Sequence, residues 1–551
     1  MDRRLDRVRH ERVDSMRGYA RARSVRHRKD GGQALILVVI ALLVLCLGVI
    51  VLFNTGQSVT KKVQLVNAAD AAAYSAAVQQ ARAYNLIAYM NRASVANEVA
   101  VAQMVSIYSY TNYYLNGTKN LHDAAQDLAD IAWVAGLVPG LEELWAVAGD
   151  LEEAASYLEK AKDVVEKARD AMQPAFTSGV DLLSGALNRA YSDVSEVVAA
   201  GAAADADLLA RQVVKANTDG QATIPARMDL IWINQGRQAL QYAERYKLSV
   251  GSPSSQADRY ANVVMEARDG FSRERNGQIL GSLLKKRGGT DIVTTRYNRG
   301  RRYDAWVGAD TLDFYLHIGF GWFSIKKDWA WAWGGAAALR SGAPGGFRNV
   351  ALQGYDNGKG WTSPYEIDQG KYFDHDGPHY DRYSGAVDNR NAGKDVLNSP
   401  AVDGTGKAWL KGYQGLQDYN DVAADKATVP YVVKGESAAS AGVDALDAGP
   451  VFTVLAAQSM NTVHTANNVT GIGGPPDFQA PDKAVSDGIT ALASAQVYFD
   501  RPRSLFPSLV SPGKRELGNL FSPYWQARLV DTPCSVRQEV ALSYGSVATC
   551  L

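Results

Sequence analysis

The sequence predicts an α+β fold: a single N-terminal transmembrane helix, a long helical stalk or helical bundle, then a mixed α+β domain. Three observations predict it. Ala34 to Phe53 is an apolar run of 20 residues with neither charge nor proline. Gln57 to Asn116 contains no glycine and no proline and is crowded with alanine. Near Gly277 the composition turns to Gly-Gly pairs, aromatics and short alternating runs. The resulting divisions are a basic arm (1–30), a transmembrane anchor (31–56), an alanine-rich helical segment (57–275) and an α+β domain (276–551).

The arm and anchor come first. The 551 residues carry 58 Lys+Arg and 58 Asp+Glu, a net charge of zero. That balance speaks against nucleic acid as a partner, which calls for a basic excess. The charge is unevenly spread: residues 1–30 hold 11 Lys+Arg and 5 Asp+Glu, leaving 47 against 53 in the rest. The run Ala34–Phe53, at about 1.5 Å per residue, spans roughly the 30 Å hydrocarbon core of a bilayer. A cleaved signal peptide is the rival reading. The long basic arm and the absence of an A-x-A-like site at Asn54-Thr55-Gly56-Gln57 favour an uncleaved anchor. The arm outweighs Lys61 and Lys62 beyond the span, so the positive-inside rule places the N-terminus in the cytoplasm and the bulk of the chain outside.

Cysteine placement agrees with export. Cys46 lies in the span as a small apolar residue. Cys534 and Cys550 are a possible disulfide that would close a C-terminal loop worth about 3 kcal/mol. Two free thiols near a terminus are the alternative.

In the helical segment, the membrane helix is expected to resume after Gly56 and project outward. A polar set along it (Asn67, Asp70, Gln79, Gln80, Asn85, Asn91, Asn97) lines a subunit contact or faces water, with solvation the default for any one of them. A second helical region, residues 121–215, is expected to break at Pro139-Gly140 and again at Pro174. Between those breaks Leu144, Val147, Leu151, Ala154, Leu158, Ala161, Val165, Ala168 and Met172 alternate steps of three and four, a heptad pattern. Leu144, Leu151, Leu158, Val165 and Met172 share one register position, and the Val147–Ala168 set shares the other. This helix seam serves as a partner contact, either in a hairpin with the chain's own helices or in self-association. Further helical patterns cover 180–217, 226–246 and 257–273.

In the last division Asp313–His317 and Trp329–Trp333 read as strands, as does Val451–Asn461. Ser486–Gln496 reads as a helix leading into a strand at Val497–Phe499.

Chemistry-bearing motifs are weak. His375 and His379 sit among Asp374, Asp376 and Asp381, but Gly377-Pro378 forbids the helix that would align them on a metal. Gly471–Pro475 lacks the Lys-Ser/Thr of a phosphate loop, and Lys285-Lys286-Arg287-Gly288-Gly289 has the reverse order. The basic cluster Lys285, Lys286, Arg287, Arg296, Arg299, Arg301 and Arg302 reads as solvated surface. Trp322–Trp333 reads as sheet core before it reads as a sugar-stacking platform. No catalytic, cofactor or metal residues are assigned.

Gly31-Gly32-Gln33, the single span and Asn67-Ala68-Ala69-Asp70-Ala71 within Val66–Ala73 together resemble the TadG-like proteins of the Tad (tight adherence) Flp pilus assembly system. Ala88–Ala93, Val95–Ala100, Arg268–Phe271, Gly412–Leu416 and Asn519–Leu529 look like segments of the long Gram-negative members. The resemblance implies a noncatalytic structural component of the bacterial inner membrane with its bulk in the periplasm. Its implied partners are the lipid bilayer and other pilus-assembly proteins, with self-association through the helix seam as a further expectation. Pilins carry a Glu five residues after the cleaved glycine; here Leu37 or Ile36 stands there, so pilin processing is not carried over. The metal site that some TadG-like proteins carry is not matched either. The alternatives are an exported glycan-binding module using Trp322–Trp333 and an envelope hydrolase using Asp374–Asp381.

Overall fold

The computed structural model describes residues 33–248, 254–279, 284–297, 300–320, 323–340, 409–423, 448–459, 488–501 and 518–543. Its axis is helix α1, Gln33–Ala135, 103 residues without interruption. Neither Gly56 nor Gly117 breaks it. Just past the apolar run, Thr55, Ser58 and Thr60 turn their hydroxyls back onto the carbonyls of Val51, Asn54 and Gly56, which keeps those polar groups satisfied within the helix.

After a turn containing Pro139-Gly140 the chain returns as α2, Leu144–Val180. The break expected at Pro174 does not occur. The helix absorbs the proline, widens into π-helical turns at Asp181–Asn188 and continues as α3, Arg189–Asn217. A proline removes one hydrogen bond, and packing against α1 along the length of α2 outweighs that loss. Strand β1 (Ala222–Thr223), α4 (Met228–Tyr242), strand β2 (Ala243–Tyr246), α5 (Ser254–Ala267) and α6 (Gly270–Arg273) follow. The pattern read as helix over 226–246 therefore ends as a strand, paired with β8 (Tyr419–Val422).

One sheet comprises β3 (Gly277–Ile279), β4 (Leu284–Tyr297), β5 (Gly300–Phe320), β6 (Phe323–Leu339) and the short parallel β7 (Trp409–Leu410), in that order. Both runs read as strands, Asp313–His317 and Trp329–Trp333, lie in it. A second sheet has the order β1, β9 (Ala448–Gln458), β10 (Ile489–Phe499) and β11 (Trp525–Val530), all antiparallel. Helix α7 (Cys534–Ser543) follows. Strand β9 matches the strand expected at 451–461. The helix expected at Ser486–Gln496 is instead most of β10. Ala491, Ala493, Ala495, Val497 and Phe499 alternate into the core, and pairing with β9 together with burial in the core that α1 shares overrides alanine's preference for helix.

Helix α1 threads two cores in succession. In the first, Leu65 to Met90 pack with α3, α4 and the β9–β10–β11 sheet. In the second, Val95 to Tyr108 pack with α5, Tyr303 and Trp306 of β5, and the 410–419 segment. Each core thus draws on both the 57–275 helices and the 276–551 strands. The first is lined by alanines (Ala69, Ala72, Ala73, Ala76, Ala77), which let a sheet lie close to the helix. Approach in the second is closer still. A Cβ on Gly334 would fall 2.0 Å from the Tyr113 nitrogen and 2.6 Å from the Ser109 carbonyl oxygen. Only glycine fits there.

Candidate functional site

Four features bear on function: the exposed start of α1, the alanine motif beside a cavity, a buried polar ladder, and the α1–α2 hairpin.

At the start of α1, Leu35 to Val49 are all exposed. The span read from Ala34 to Phe53 therefore lies in a helix long and apolar enough to cross a membrane, and none of its most apolar stretch is buried as a soluble core helix would be.

The motif Asn67–Ala71 is split by helical geometry. Ala68 and Ala69 are buried against the core, Asn67 is exposed, and Ala71 is half-buried. Asp70 lines an open cavity of about 570 Å³ together with Leu492, Ser494, Arg528, Asp531 and Arg537. Here β11 ends, its last pair being Val530 with Ser494, while β10 continues back to Ile489 with β9 alone beside it. The cavity wall carries charges of both signs, from Asp70 and Asp531 and from Arg528 and Arg537.

The polar ladder corrects the solvated reading of α1. Asn85 donates to the Trp525 carbonyl and accepts from the Trp525 N–H, both at 2.9 Å. Asn91 donates to the carbonyls of Asn420 and Leu520 at 2.9 and 2.6 Å. Asn97 donates to Asn188 at 2.8 Å, and Gln80 is buried. Asn85 and Asn91 fasten strand and loop backbone to the helix, because side-chain amides can satisfy backbone groups where no ladder partner exists, and Asn97 joins α1 to the π-helical turns.

Next to Asn97, Glu98 is fully buried on α1. Its carboxylate accepts from Asn188 Nδ2 at 2.9 Å, Trp306 Nε1 at 2.8 Å and the Tyr413 hydroxyl at 2.9 Å. Burial pushes its pKa up to about 7, and the three donors limit the rise. Farther along, Ser109 donates to Asp310 at 2.7 Å, and Arg275 grips both Asp310 oxygens at 2.7 and 2.9 Å. This is a bidentate pair with both side chains inaccessible.

The segments singled out by resemblance converge here. Arg268 pairs with Asp291, and Asp269 caps α6 and accepts from Gln103 of α1 at 2.6 Å. Tyr413 meets Glu98, and Gly412 and Gly415 take left-handed φ of 96° and 78°. Leu520 and Trp525 meet Asn91 and Asn85. Although separated by hundreds of residues, these segments share the one helix to which they attach. Two sequence signals point to Glu98: it lies in the Val95–Ala100 segment, and it stands three, four and seven residues before the buried Val101, Ala102 and Val105.

In the hairpin, the heptad pattern divides. Leu144, Leu151, Leu158, Val165 and Met172 are half-buried against the helix partner, with Ala148, Ala155 and Arg169 fully covered beside them. Val147, Ala154, Ala161 and Ala168 are exposed. Among the described residues, one of the two register positions is thus covered and the other is open.

The remaining motifs are quickly placed. Lys286 donates to the Arg275 carbonyl at 2.8 Å and sits 4.4 Å from the centre of the Tyr110 ring, so it is built into the fold. Gly288-Gly289 belong to β4, and most of the Trp322–Trp333 run to β6. Cys550, Trp322, Arg299, Gly471–Pro475 and Asp374–Asp381 lie outside the described residues. Among the described residues no group of three or more His, Cys, Asp or Glu is placed to hold a metal ion.

Residues 32–80 match the Tad family, described as "Putative Flp pilus-assembly TadE/G-like". The match covers the exposed apolar start of α1 and the Asn67–Ala71 motif, the same two features that carry the resemblance read from the sequence. No curated protein and no solved structure matches the chain.

Proposed function

We propose that this chain is a noncatalytic structural component of Tad-type pilus assembly, held in the bacterial inner membrane by Ala34–Phe53 with its C-terminal bulk in the periplasm. The observation that carries this reading is the family match over residues 32–80, which falls on an exposed apolar helix continuous with the folded body. The basic arm supports a cytoplasmic N-terminus through the positive-inside rule. Mechanistically, the helix fixes position at the membrane. The buried alanines dock the sheets onto it, and the exposed Asn67 and the half-buried, cavity-lining Asp70 meet a neighbouring assembly protein across the cavity beside β10. The open register of α2, from Val147 to Ala168, is a second partner contact.

Two experiments test this. A strain lacking the chain should assemble few or no Flp pili, counted by electron microscopy. Full-length chain should restore them, and Asp70→Arg should restore them poorly while accumulating to normal levels. Normal piliation in the deletion strain would refute the role. Protease protection on spheroplasts checks orientation: a C-terminal tag should be digested from outside, and a protected tag would refute the topology.

A further inference from the structure

Beyond the two cores, α1 and α2 end in a turn whose surface is unlike the rest of the folded body. Ile131, Trp133, Val134, Leu137, Val138 and Leu141 are all exposed, Leu137 by 73 %. An apolar cluster of this size, outside the membrane-length segment, marks a surface that another molecule covers. The turn is ordered by its own contacts. Gly140, at φ 94°, presents its N–H to the Glu142 carboxylate at 3.1 Å, and Trp133 donates to Glu152 at 2.7 Å beside the Trp145 ring.

Charge identifies the occupant. From Leu121 to Glu159 the sequence carries nine carboxylates and no lysine or arginine. A second copy would bring like charges face to face. A bilayer would have to receive Glu142 and Glu143, which lie between Leu141 and Leu144 at the extreme end. The Gly140 N–H holds the Glu142 carboxyl below its ordinary pKa, so it stays charged. Distance also counts: Ala135 stands roughly 120 Å beyond Phe53 along α1, at about 1.5 Å per residue. The occupant therefore reaches the tip well away from the segment that enters the membrane.

We infer that the tip of the α1–α2 hairpin docks into an apolar groove rimmed by lysine and arginine on a different protein of the envelope. The groove takes up the Leu137–Leu141 end, and the basic rim pairs with Asp130, Glu142 and Glu143. Charge steering would make the encounter fast and salt-sensitive, with the apolar end supplying the hold. The inference does not depend on the pilus role, since any protein with such a groove would serve.

The test is photocrosslinking in intact cells that produce the full-length chain, with benzoylphenylalanine in place of Leu137 and, as a control, in place of exposed Val164 on α2. Irradiation should join the Leu137 position to one other protein, at a peptide bearing lysine or arginine, and the Val164 position should not give that adduct. Asp130→Lys and Glu143→Lys together should lower the yield at least tenfold, and reversing the mapped basic residues on the partner should restore it. Both positions are exposed, and Glu142, which holds the Gly140 N–H, is left in place, so the double variant should melt with wild type. Leu137→Ser with Val138→Ser is a charge-neutral second probe, scored by salt-resistant co-purification with the partner so identified. An adduct with a second copy, an adduct with phospholipid, an adduct indifferent to charge reversal, or no adduct would each overturn the inference. Piliation is scored separately, so failure here and failure of the assembly role are distinguishable.

Discussion

Leu35–Phe53 and the Ile131–Leu141 tip are both exposed apolar surfaces on one continuous hairpin, and charge separates them. The first has no ionisable group other than Cys46 across 19 residues, whereas the second is bracketed by carboxylates, Asp130 just before it and Glu142 and Glu143 just after it. A hydrocarbon core excludes charge, and a protein groove can pair with it. The contrast teaches that exposed leucine alone does not name a neighbour; the charges within a turn of it do.

The largest expected effect tests that contrast directly. Leu43→Arg with Leu47→Arg places two cations near the centre of the span, at about 3 kcal/mol each. Carbonate washing should then release the chain from membranes. The same pair of substitutions at Leu137 and Val138 should leave membrane retention unchanged. Release by both pairs, or by neither, would remove the distinction between the two ends.

The body between those ends holds a charge in the opposite circumstance, buried rather than excluded. Glu98→Ala leaves Asn188, Trp306 and Tyr413 without their shared acceptor and should cost roughly 3 to 5 kcal/mol in denaturant melts. Glu98→Gln should cost far less and should change the pH profile. The folded pKa is raised from 4.5 to about 7, so the folded state binds the proton more tightly than the unfolded chain. Stability from this group is fully present below about 4.5 and is lost as pH rises through about 7. The wild-type midpoint should fall across that window, and Glu98→Gln should flatten the fall; an unchanged slope would exclude Glu98 as its source.

Much of this architecture was legible in the sequence because it follows local rules. The span, the glycine-free helix, the heptad and strands β5, β6 and β9 each announce themselves within a dozen or so residues. What was not legible depends on distant partners. Alanines 491, 493 and 495 read as helix until β9 pairs with all three and the core beneath α1 buries them. Pro174 reads as a break until the length of α1 beneath it is counted. Asn85 and Asn91 read as solvated until Trp525 and Leu520 arrive from more than 400 residues away. The motif Asn67–Ala71 stood out as a pattern, but only the fold shows which of its members pack and that Asp70 faces a cavity.

Glycine placement contrasts the crowded body with the open hairpin. Gly334→Ala would drive a Cβ into α1 backbone atoms and should destabilise by about 3 kcal/mol or more. Gly149→Ala, in α2 with nothing within 4 Å, should stabilise by about 1 kcal/mol through helix propensity alone. Chemical denaturation of the two variants should shift in opposite directions; a loss at Gly149 would mean that the hairpin is packed more tightly than its exposure indicates.

The smallest expected effect separates the two faces of α2. Leu158 is half-buried against the hairpin partner, so Leu158→Asp should cost about 1 to 3 kcal/mol by putting an unpaired carboxylate at that contact. Ala161, one helical turn on, is exposed, and Ala161→Asp should stay within about 0.5 kcal/mol of wild type. If the open register is a contact for another helix, Ala161→Asp should nevertheless lower piliation while melting normally. Surface charge on a close alanine face blocks a partner without disturbing the fold that presents it. A variant that both melts and assembles as wild type would mean that this face of α2 meets only water.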